Sequence, residues 1–143
     1  MLPHSVENTF ARRNHIITHE HYVPLITALK RYFDLIHEAN VATFDSVFQP
    51  TAQLYGLKKG QMRMLTASEY KEMLAGTASP KTKGAPREEE ILLVDFASDT
   101  QALVKVRVRS DEFVYVDYLN YHFLDGDWRI SAKAFHAEVT PKG

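Results

Sequence analysis

The stretch from Ile91 to Phe135 constrains the fold most, because strand-like segments follow one another there with only short turns between them. Its clearest segment, Gln101 to Arg109, alternates apolar with mostly charged residues, which is the period-two pattern of a half-buried strand. Asp125-Gly126 has the composition of a tight hairpin turn. Consecutive strands joined by short turns predict a four-stranded antiparallel meander.

Helical patterns precede this meander. Residues Tyr22 to Ala39 place apolar side chains at three- and four-residue steps, which predicts an amphipathic helix of about five turns, with Pro24 in its first turn. A short helix ending at Pro50, a hairpin turning at Lys58-Lys59-Gly60 and a third helix with a capping box at Thr66 and Glu69 are predicted to follow. Tyr70, Met73 and Leu74 form the predicted buried stripe of that third helix.

This order of elements predicts an α+β fold, in which helices cover one face of an antiparallel sheet. A curved sheet wrapped around N-terminal helices leaves a cone, and the mouth of a cone is a natural internal pocket. We expect an N-terminal arm or short helix over residues 1–21, a single domain over 22–137 and a tail over 138–143.

Composition excludes several classes of protein. Lys and Arg number 17 and Asp and Glu number 18, so the chain lacks the basic excess of nucleic-acid-binding domains. It has no cysteine, which excludes disulfides and cysteine-based zinc sites. No signal-like start and no apolar stretch of about 20 residues are found, so we expect a cytoplasmic protein without a membrane partner.

Several motifs occur together in a characteristic order. Near the C-terminus they are Asp117-Tyr118-Leu119, the segment Asp125 to Ile130, and Lys133-Ala134-Phe135; upstream stand FDSVFQPTAQL, from Phe44, and the helix opening LTASEY. The ordered set resembles the nuclear transport factor 2-like superfamily, with its cystatin-like cone. Within it the chain is most similar to the putative lumazine-binding branch, near the SnoaL-like polyketide-cyclase and ketosteroid-isomerase-like members. The resemblance covers about residues 22–135 and implies the fold far more than an activity, because this fold carries isomerases, dehydratases, cyclases and non-catalytic binders.

The long strand from Glu112 to Leu124 carries the first candidate catalytic residue, Asp117. The alternate positions that include Asp117 are the more apolar set, so we expect them on the concave face. A carboxylate there can act as a general acid or base, and Tyr32 of the first helix is the candidate partner. The alternative is a structural role, in which Asp117 pairs with Lys133 or Arg129 or bonds a helix tyrosine.

Lys133 has two possible directions. Strict alternation from Trp128 and Ile130 places it on the outer face in solvent, whereas a bulge near Ser131 would turn it into the pocket beside Asp117. The other predicted pocket-lining residues are Phe33, Phe44, Phe48, Tyr55, Met64, Tyr115, Leu119 and Trp128. His37 is expected at the pocket or as a helix-end residue.

Two functions of different class remain open, and neither needs a cofactor. The first is a small-molecule-binding domain whose aromatic pocket takes an apolar or aromatic ligand. The second is a cofactor-independent isomerase, dehydratase or cyclase that uses Asp117 for proton transfer. No metal site is predicted, because His15, His19 and His21 lack the spacing of a metal-binding motif.

A third possibility concerns assembly rather than a ligand. The resemblance implies a homodimer, or an interaction module, formed through the outer sheet face. The loop over residues 76–86 is rich in glycine, proline and small polar residues, and it is a candidate lid over the pocket.

Overall fold

The computed structural model describes residues 19–139, which form helices packed on a curved sheet. Helix α1 spans His19–Glu38, a 3-10 turn spans Val41–Thr43, and α2 spans Phe44–Val47. Strands β1 (Phe48–Lys58) and β2 (Gln61–Thr66) lead into α3 (Ala67–Ala75). The remaining strands are β3 (Glu89–Ser98), β4 (Gln101–Ser110), β5 (Phe113–Leu124) and β6 (Asp127–Val139).

The six strands form one sheet in the order β2-β1-β6-β5-β4-β3. All neighbours are antiparallel except β1 and β6, which run parallel. The predicted meander is confirmed as β3 to β6, and the β1–β2 hairpin extends the sheet beyond β6. The sheet is curved and unclosed with helices on its concave face, so the predicted α+β, cystatin-like fold is confirmed.

Helix α1 packs along the concave face through the residues that its periodicity indicated. Leu25, Leu29, Tyr32 and Leu35 have no exposed surface. Burying an aliphatic side chain of this size stabilises a fold by about 1.5–3 kcal/mol, so this stripe fixes the helix on the sheet. The described helix already includes His19, so Pro24 lies inside it rather than in its first turn; Pro24 is exposed.

Pro50 does not end a helix, as the sequence suggested, but lies within β1. The pairing of β1 with β6 changes there, from Phe48 opposite Ile130 to Gln53 opposite Ala132. Proline has no backbone N–H for the ladder, so it is accommodated where the ladder is interrupted.

The start of α3 is confirmed. The Thr66 side chain accepts from the Glu69 N–H, and the Glu69 side chain accepts from the Thr66 N–H, both at 3.1 Å. Tyr70 is buried, whereas Met73, predicted in the same stripe, is half exposed. Residues 1–18 and 140–143, which hold most of the predicted arm and tail, lie outside the described residues, and β6 continues two residues beyond the predicted boundary at 137.

Candidate functional site

A cavity of about 260 Å³ opens between the C-terminal half of α1, α3 with the loop after it, and the concave face of the sheet. Its wall is mostly apolar or aromatic and includes Ile36, Leu54, Leu65, Leu74, Val108, Phe113, Tyr115 and Phe135. Elsewhere on the concave face, aromatic side chains of the described residues pack against one another. The rings of Phe44 and Phe48 stack 4.9 Å apart, and Trp128 packs on Phe96 and Phe123.

Asp117 lies in this cavity and has no exposed surface. The Tyr32 hydroxyl, from α1, donates a hydrogen bond of 2.5 Å to Asp117 Oδ2. Burial, and then the neighbouring Asp117 carboxylate, raise the pKa of Tyr32 well above its ordinary 10.0. Tyr32 therefore stays protonated and donates to the carboxylate. The structure thus brings together the two candidate catalytic residues, which stand 85 residues apart in the chain.

Lys133 reaches the same place because β6 contains a bulge. Ile130 and Ala132 pair with adjacent residues of β5, which leaves Ser131 between them unpaired. The extra residue shifts the alternation of β6 by one position, so Lys133 faces inward and is only 7% exposed. Of the two directions open from the sequence, the outward one is wrong.

The Lys133 ammonium is held by a carboxylate and by aromatic faces. Its Nζ lies 3.8 Å from Asp117 Oδ2 and 5.2 and 5.0 Å from the ring centroids of Tyr32 and Tyr70. Burial by itself lowers the pKa of Lys133, but Asp117 and Tyr70 outweigh burial and raise the pKa above its ordinary 10.5. Tyr32, Tyr70, Asp117 and Lys133 are called the polar cluster below.

Tyr70 is the member of this cluster that the sequence did not indicate as a site residue. Its position on α3 follows from the capping box at Thr66, but the contact of its ring face with Lys133 Nζ, 5.0 Å from the ring centroid, depends on the inward turn of Lys133. Tyr115 of β5 lies beside the cluster, and burial raises its pKa although Lys133 acts in the opposite direction. Three aromatic rings, those of Tyr32, Tyr70 and Phe135, have their centroids within 6.0 Å of the ammonium.

One oxygen of the cluster is unsatisfied. Asp117 Oδ1 is buried and has no hydrogen-bond partner among the described residues. A buried carboxylate oxygen without a donor is destabilising by about 1–3 kcal/mol or more, so a ligand or a water is needed to complete the site. An ammonium has three N–H groups, and Asp117 Oδ2, at 3.8 Å from Lys133 Nζ, is an ion-pair partner beyond hydrogen-bond distance. At the cavity wall, an unpaired buried acceptor thus lies beside an ammonium that is not fully hydrogen-bonded.

The other predicted lining residues divide into three groups. Tyr115 lines the cavity, as Lys133 does. Five are buried in the core instead of lining it: Phe33, Phe44, Phe48, Leu119 and Trp128. Their assignment to the pocket was wrong, because hydrophobic periodicity indicates which face of a strand or helix is buried but not how deeply each side chain is buried.

Tyr55 and Met64 lie on the opposite face of the sheet. They are paired across β1 and β2 and are 40% and 47% exposed. Their neighbours Leu54 and Leu65, also paired, take the inward positions and line the cavity. The prediction for Tyr55 and Met64 was therefore wrong, because in each strand the adjacent residue, and not the predicted one, points inward.

The loop after α3 borders the mouth of the cavity. Lys81 N–H donates to the His37 carbonyl at 3.0 Å, and Lys83 Nζ lies 2.9 Å from Asp111 Oδ2 on the β4–β5 turn. The loop is thus attached to the end of α1 and to the sheet. His37, expected at the pocket or helix end, is half-buried at the end of α1 and holds the loop through its backbone.

Within residues 19–139, neither a metal-binding cluster nor a membrane-spanning helix is present. No group of three or more acidic or histidine side chains in that range is arranged to hold a metal ion. Nor does that part of the chain contain a helix with both the length and the apolar character needed to cross a membrane. His15 lies outside the described residues.

Comparison with protein families identifies the chain. The family model described as putative lumazine-binding matches residues 22–136. The chain belongs to this family. The matched span includes every residue of the polar cluster. A search of curated proteins finds no match.

Solved structures show that this lumazine-binding family member has an NTF2-like fold. An NTF2-like protein of unknown function from Silicibacter pomeroyi has a TM-score of 0.75 and 18% identity, over 83% of this chain and 97% of that chain. An NTF2-like protein of unknown function from Shewanella baltica has a TM-score of 0.73 and 16% identity, over 85% and 96%. A ketosteroid isomerase-like protein from Erwinia carotovora atroseptica has a TM-score of 0.63 and 13% identity, over 83% and 96%. Identities this low show the fold alone.

Proposed function

We propose that this protein binds a small, flat, largely apolar molecule in the cavity. The observation that supports it is one concave space with an apolar aromatic wall and a small group of polar side chains. Ligand sites usually combine these two features, because the wall supplies burial and the few polar groups fix orientation. The family description supports a ligand-binding domain in the same sense.

The size of the cavity limits the ligand. Its volume of about 260 Å³ lies just below the range of about 300–1,000 Å³ that is common for ligand pockets. One ring or two fused rings suit this space, whereas a larger polycyclic molecule would require the mouth to widen. The Tyr115 and Phe135 rings, 6.4 Å apart and nearly perpendicular, offer both a face and an edge to such a ring.

Naphthalene is a suitable first probe, because it tests shape and burial without polar groups. We expect it to shift the NMR signals of cavity residues selectively, including Val108 and Leu65. Leu65→Trp should abolish the shifts by filling the cavity. Met64→Trp is the matched control, because Met64 is the adjacent residue of β2 and faces outward. Equal binding by both folded variants, or no binding by the wild type, would contradict the proposal.

A second function, proton transfer without a cofactor, is favoured by the state of Asp117. Tyr32 holds its Oδ2, while Oδ1 is left without a partner among the described residues. A fixed carboxylate of this kind can take a proton from carbon next to a carbonyl, and the nearby Lys133 ammonium would stabilise the resulting oxyanion. A cofactor-independent isomerase, dehydratase or cyclase can begin its reaction with this step.

Solvent exchange tests the second function directly. The protein would be mixed with 2-tetralone in deuterated water, and deuterium incorporation next to the carbonyl followed by NMR. Faster exchange with wild type than with Asp117→Asn, at equal ligand occupancy, supports catalysis. Exchange at the uncatalysed rate with a bound ketone would leave binding as the only function of this pair.

The outer sheet face supports a homodimer as the assembly state. One row of outward residues lies in register across all six strands: Met64, Tyr55, Ala134, Tyr118, Lys105 and Leu93. Four of these are large and 40–47% exposed, a mixed apolar surface of the kind that protein interfaces use. Light scattering should give a dimer for wild type, a monomer for Tyr118→Asp and a dimer for the control Asp99→Asn. A wild-type monomer at all concentrations would contradict it.

A further inference from the structure

The unpartnered oxygen of Asp117 restricts which molecules can fill the cavity. Within residues 19–139, the carboxylate has two polar side-chain contacts, and both are made to Oδ2: the Tyr32 hydroxyl at 2.5 Å and Lys133 Nζ at 3.8 Å. Oδ1 is equally buried and receives no hydrogen bond from the described residues. An ionised carboxylate oxygen only accepts hydrogen bonds, so whatever meets Oδ1 must carry an N–H or O–H group.

A donor stands next to this acceptor. Lys133 Nζ lies 3.8 Å from Oδ2 of the same carboxylate, which is longer than a hydrogen bond, so its three N–H groups are not all used by Asp117. Its aromatic neighbours contact it through ring faces, which attract the charge without accepting a conventional hydrogen bond. A ligand that meets Oδ1 with a donor therefore finds a donor for its own acceptor at the adjacent position.

The charges of Asp117 and Lys133 also restrict the charge that a ligand can carry. Asp117 and Lys133 already neutralise each other inside the protein. A ligand carboxylate at this depth would face Oδ1 with like charge, and a ligand cation would compete with Lys133 for the single carboxylate. Either would bury a charge without a full partner, which is strongly unfavourable.

We infer that the cavity recognises an uncharged planar ligand whose buried edge carries an N–H donor directly beside a carbonyl acceptor, as in a cyclic amide. This inference rests on the proposed function, because it names the ligand class for the same cavity. The N–H donates to Asp117 Oδ1, and the carbonyl accepts from Lys133 Nζ. A plain hydrocarbon of the same shape leaves both groups unpaired.

Two matched ligands test the inference without any mutation. 2-Quinolone presents an N–H beside its carbonyl, and coumarin is nearly the same shape with a ring oxygen in place of the N–H. We expect calorimetry to give 2-quinolone at least about tenfold tighter binding, because a hydrogen bond to a charged group is lost in coumarin and an oxygen is set against Oδ1. Naphthalene, tested in parallel, reports on cavity binding alone.

The outcomes separate the inference from the proposed function. If naphthalene, coumarin and 2-quinolone bind equally, the edge preference is overturned while cavity binding stands, and a water on Oδ1 is then the explanation. If none of the three binds, both proposals fail. Preference for 2-quinolone over both others supports the inference.

A variant gives a second, independent reading. In Asp117→Asn the amide oxygen would accept from Tyr32, which turns the NH₂ group towards the ligand and replaces the acceptor with a donor. The tighter binding of 2-quinolone relative to coumarin should then disappear or reverse. Asp95→Asn, an exposed carboxylate on β3, is the control and should keep the preference. Retention of the preference in folded Asp117→Asn would overturn the assignment of Oδ1.

Discussion

Lys133 faces the cavity because Ser131, two residues earlier in β6, is skipped in the backbone pairing between β6 and β5. The Ser131 hydroxyl donates to the Asn120 carbonyl at 3.1 Å, and His122 Nδ1 lies 2.5 Å from the same hydroxyl oxygen. These contacts hold the extra residue against β5. The buried ion pair with Asp117 therefore depends on a local irregularity of β6.

Removing the cation should be costly for stability. In Lys133→Met, Asp117 stays buried without its partner, so we expect a loss of about 3–5 kcal/mol in the free energy of unfolding, measured by denaturant at neutral pH. Asp117→Leu combined with Lys133→Met should recover much of this loss, because no charge is then buried. Lys58→Met, at an exposed position, should change stability by less than about 0.5 kcal/mol. A loss under about 1 kcal/mol in Lys133→Met would show that the ion pair does not form.

The Tyr32 hydroxyl should contribute separately. Tyr32→Phe removes a buried hydrogen bond to a charged group with little change of shape, so we expect a loss of about 1.5–3 kcal/mol in the free energy of unfolding. Tyr22→Phe, on the exposed start of α1, is the control and should be nearly neutral. If both variants unfold at the same denaturant concentration as the wild type, Tyr32 does not donate to Asp117.

Stability should fall at alkaline pH. The pKa values of Tyr32 and Lys133 are raised in the folded state above 10.0 and 10.5, respectively. Their contribution is therefore fully present below these ordinary values and is lost as the pH rises through the folded-state values. The free energy of unfolding, measured between about pH 8 and about pH 11, should decline above about pH 10. The decline should be shallower in Tyr32→Phe, and an unchanged slope would contradict the raised pKa of Tyr32.

Gly56 should control the shape of the cavity. A Cβ at this position would come within 2.3 Å of the Phe135 ring, which lies across from it on β6. Gly56→Ala must therefore displace the ring that lines the cavity, and we expect weaker naphthalene binding and lower stability. Gly76→Ala is the control, because its Cβ would meet nothing closer than 3.6 Å. Equal naphthalene affinity in wild type and Gly56→Ala would show that the Phe135 ring can be displaced without changing the cavity, which would contradict this prediction.

The ion pair at the mouth should affect kinetics more than stability. Lys83 and Asp111 are 44% and 43% exposed, so solvent screens the pair and it contributes at most about 1 kcal/mol. If the loop over residues 76–86 acts as a lid, Lys83→Ala should speed ligand exchange, measured by NMR line shape, with little change in melting temperature. Lys59→Ala, on the β1–β2 turn, is the control. Unchanged exchange in Lys83→Ala, with faster amide hydrogen exchange in the loop, would rule out gating by this loop.

Local patterns in the sequence were enough for most of the elements. The three- and four-residue spacing in α1, the capping box at Thr66 and the alternation in β4 each describe neighbours in the chain, so each could be interpreted without the fold. The alternation in β5 likewise predicted that Asp117 lies on the concave face, where it is fully buried. Pro50 was misinterpreted, because a proline in a strand interruption and a proline after a helix look alike locally.

The sequence by itself determined the order of helices and strands and the face on which Asp117 lies, since hydrophobic periodicity acts along the chain. Only the tertiary structure decided the parallel pairing of β1 with β6, the bulge at Ser131 and the approach of Tyr70 to Lys133. Each of these depends on contacts between residues that are distant in sequence. Curvature and packing depth also decided which inward side chains fill the core and which border a cavity, because these properties belong to the whole sheet and not to any one strand.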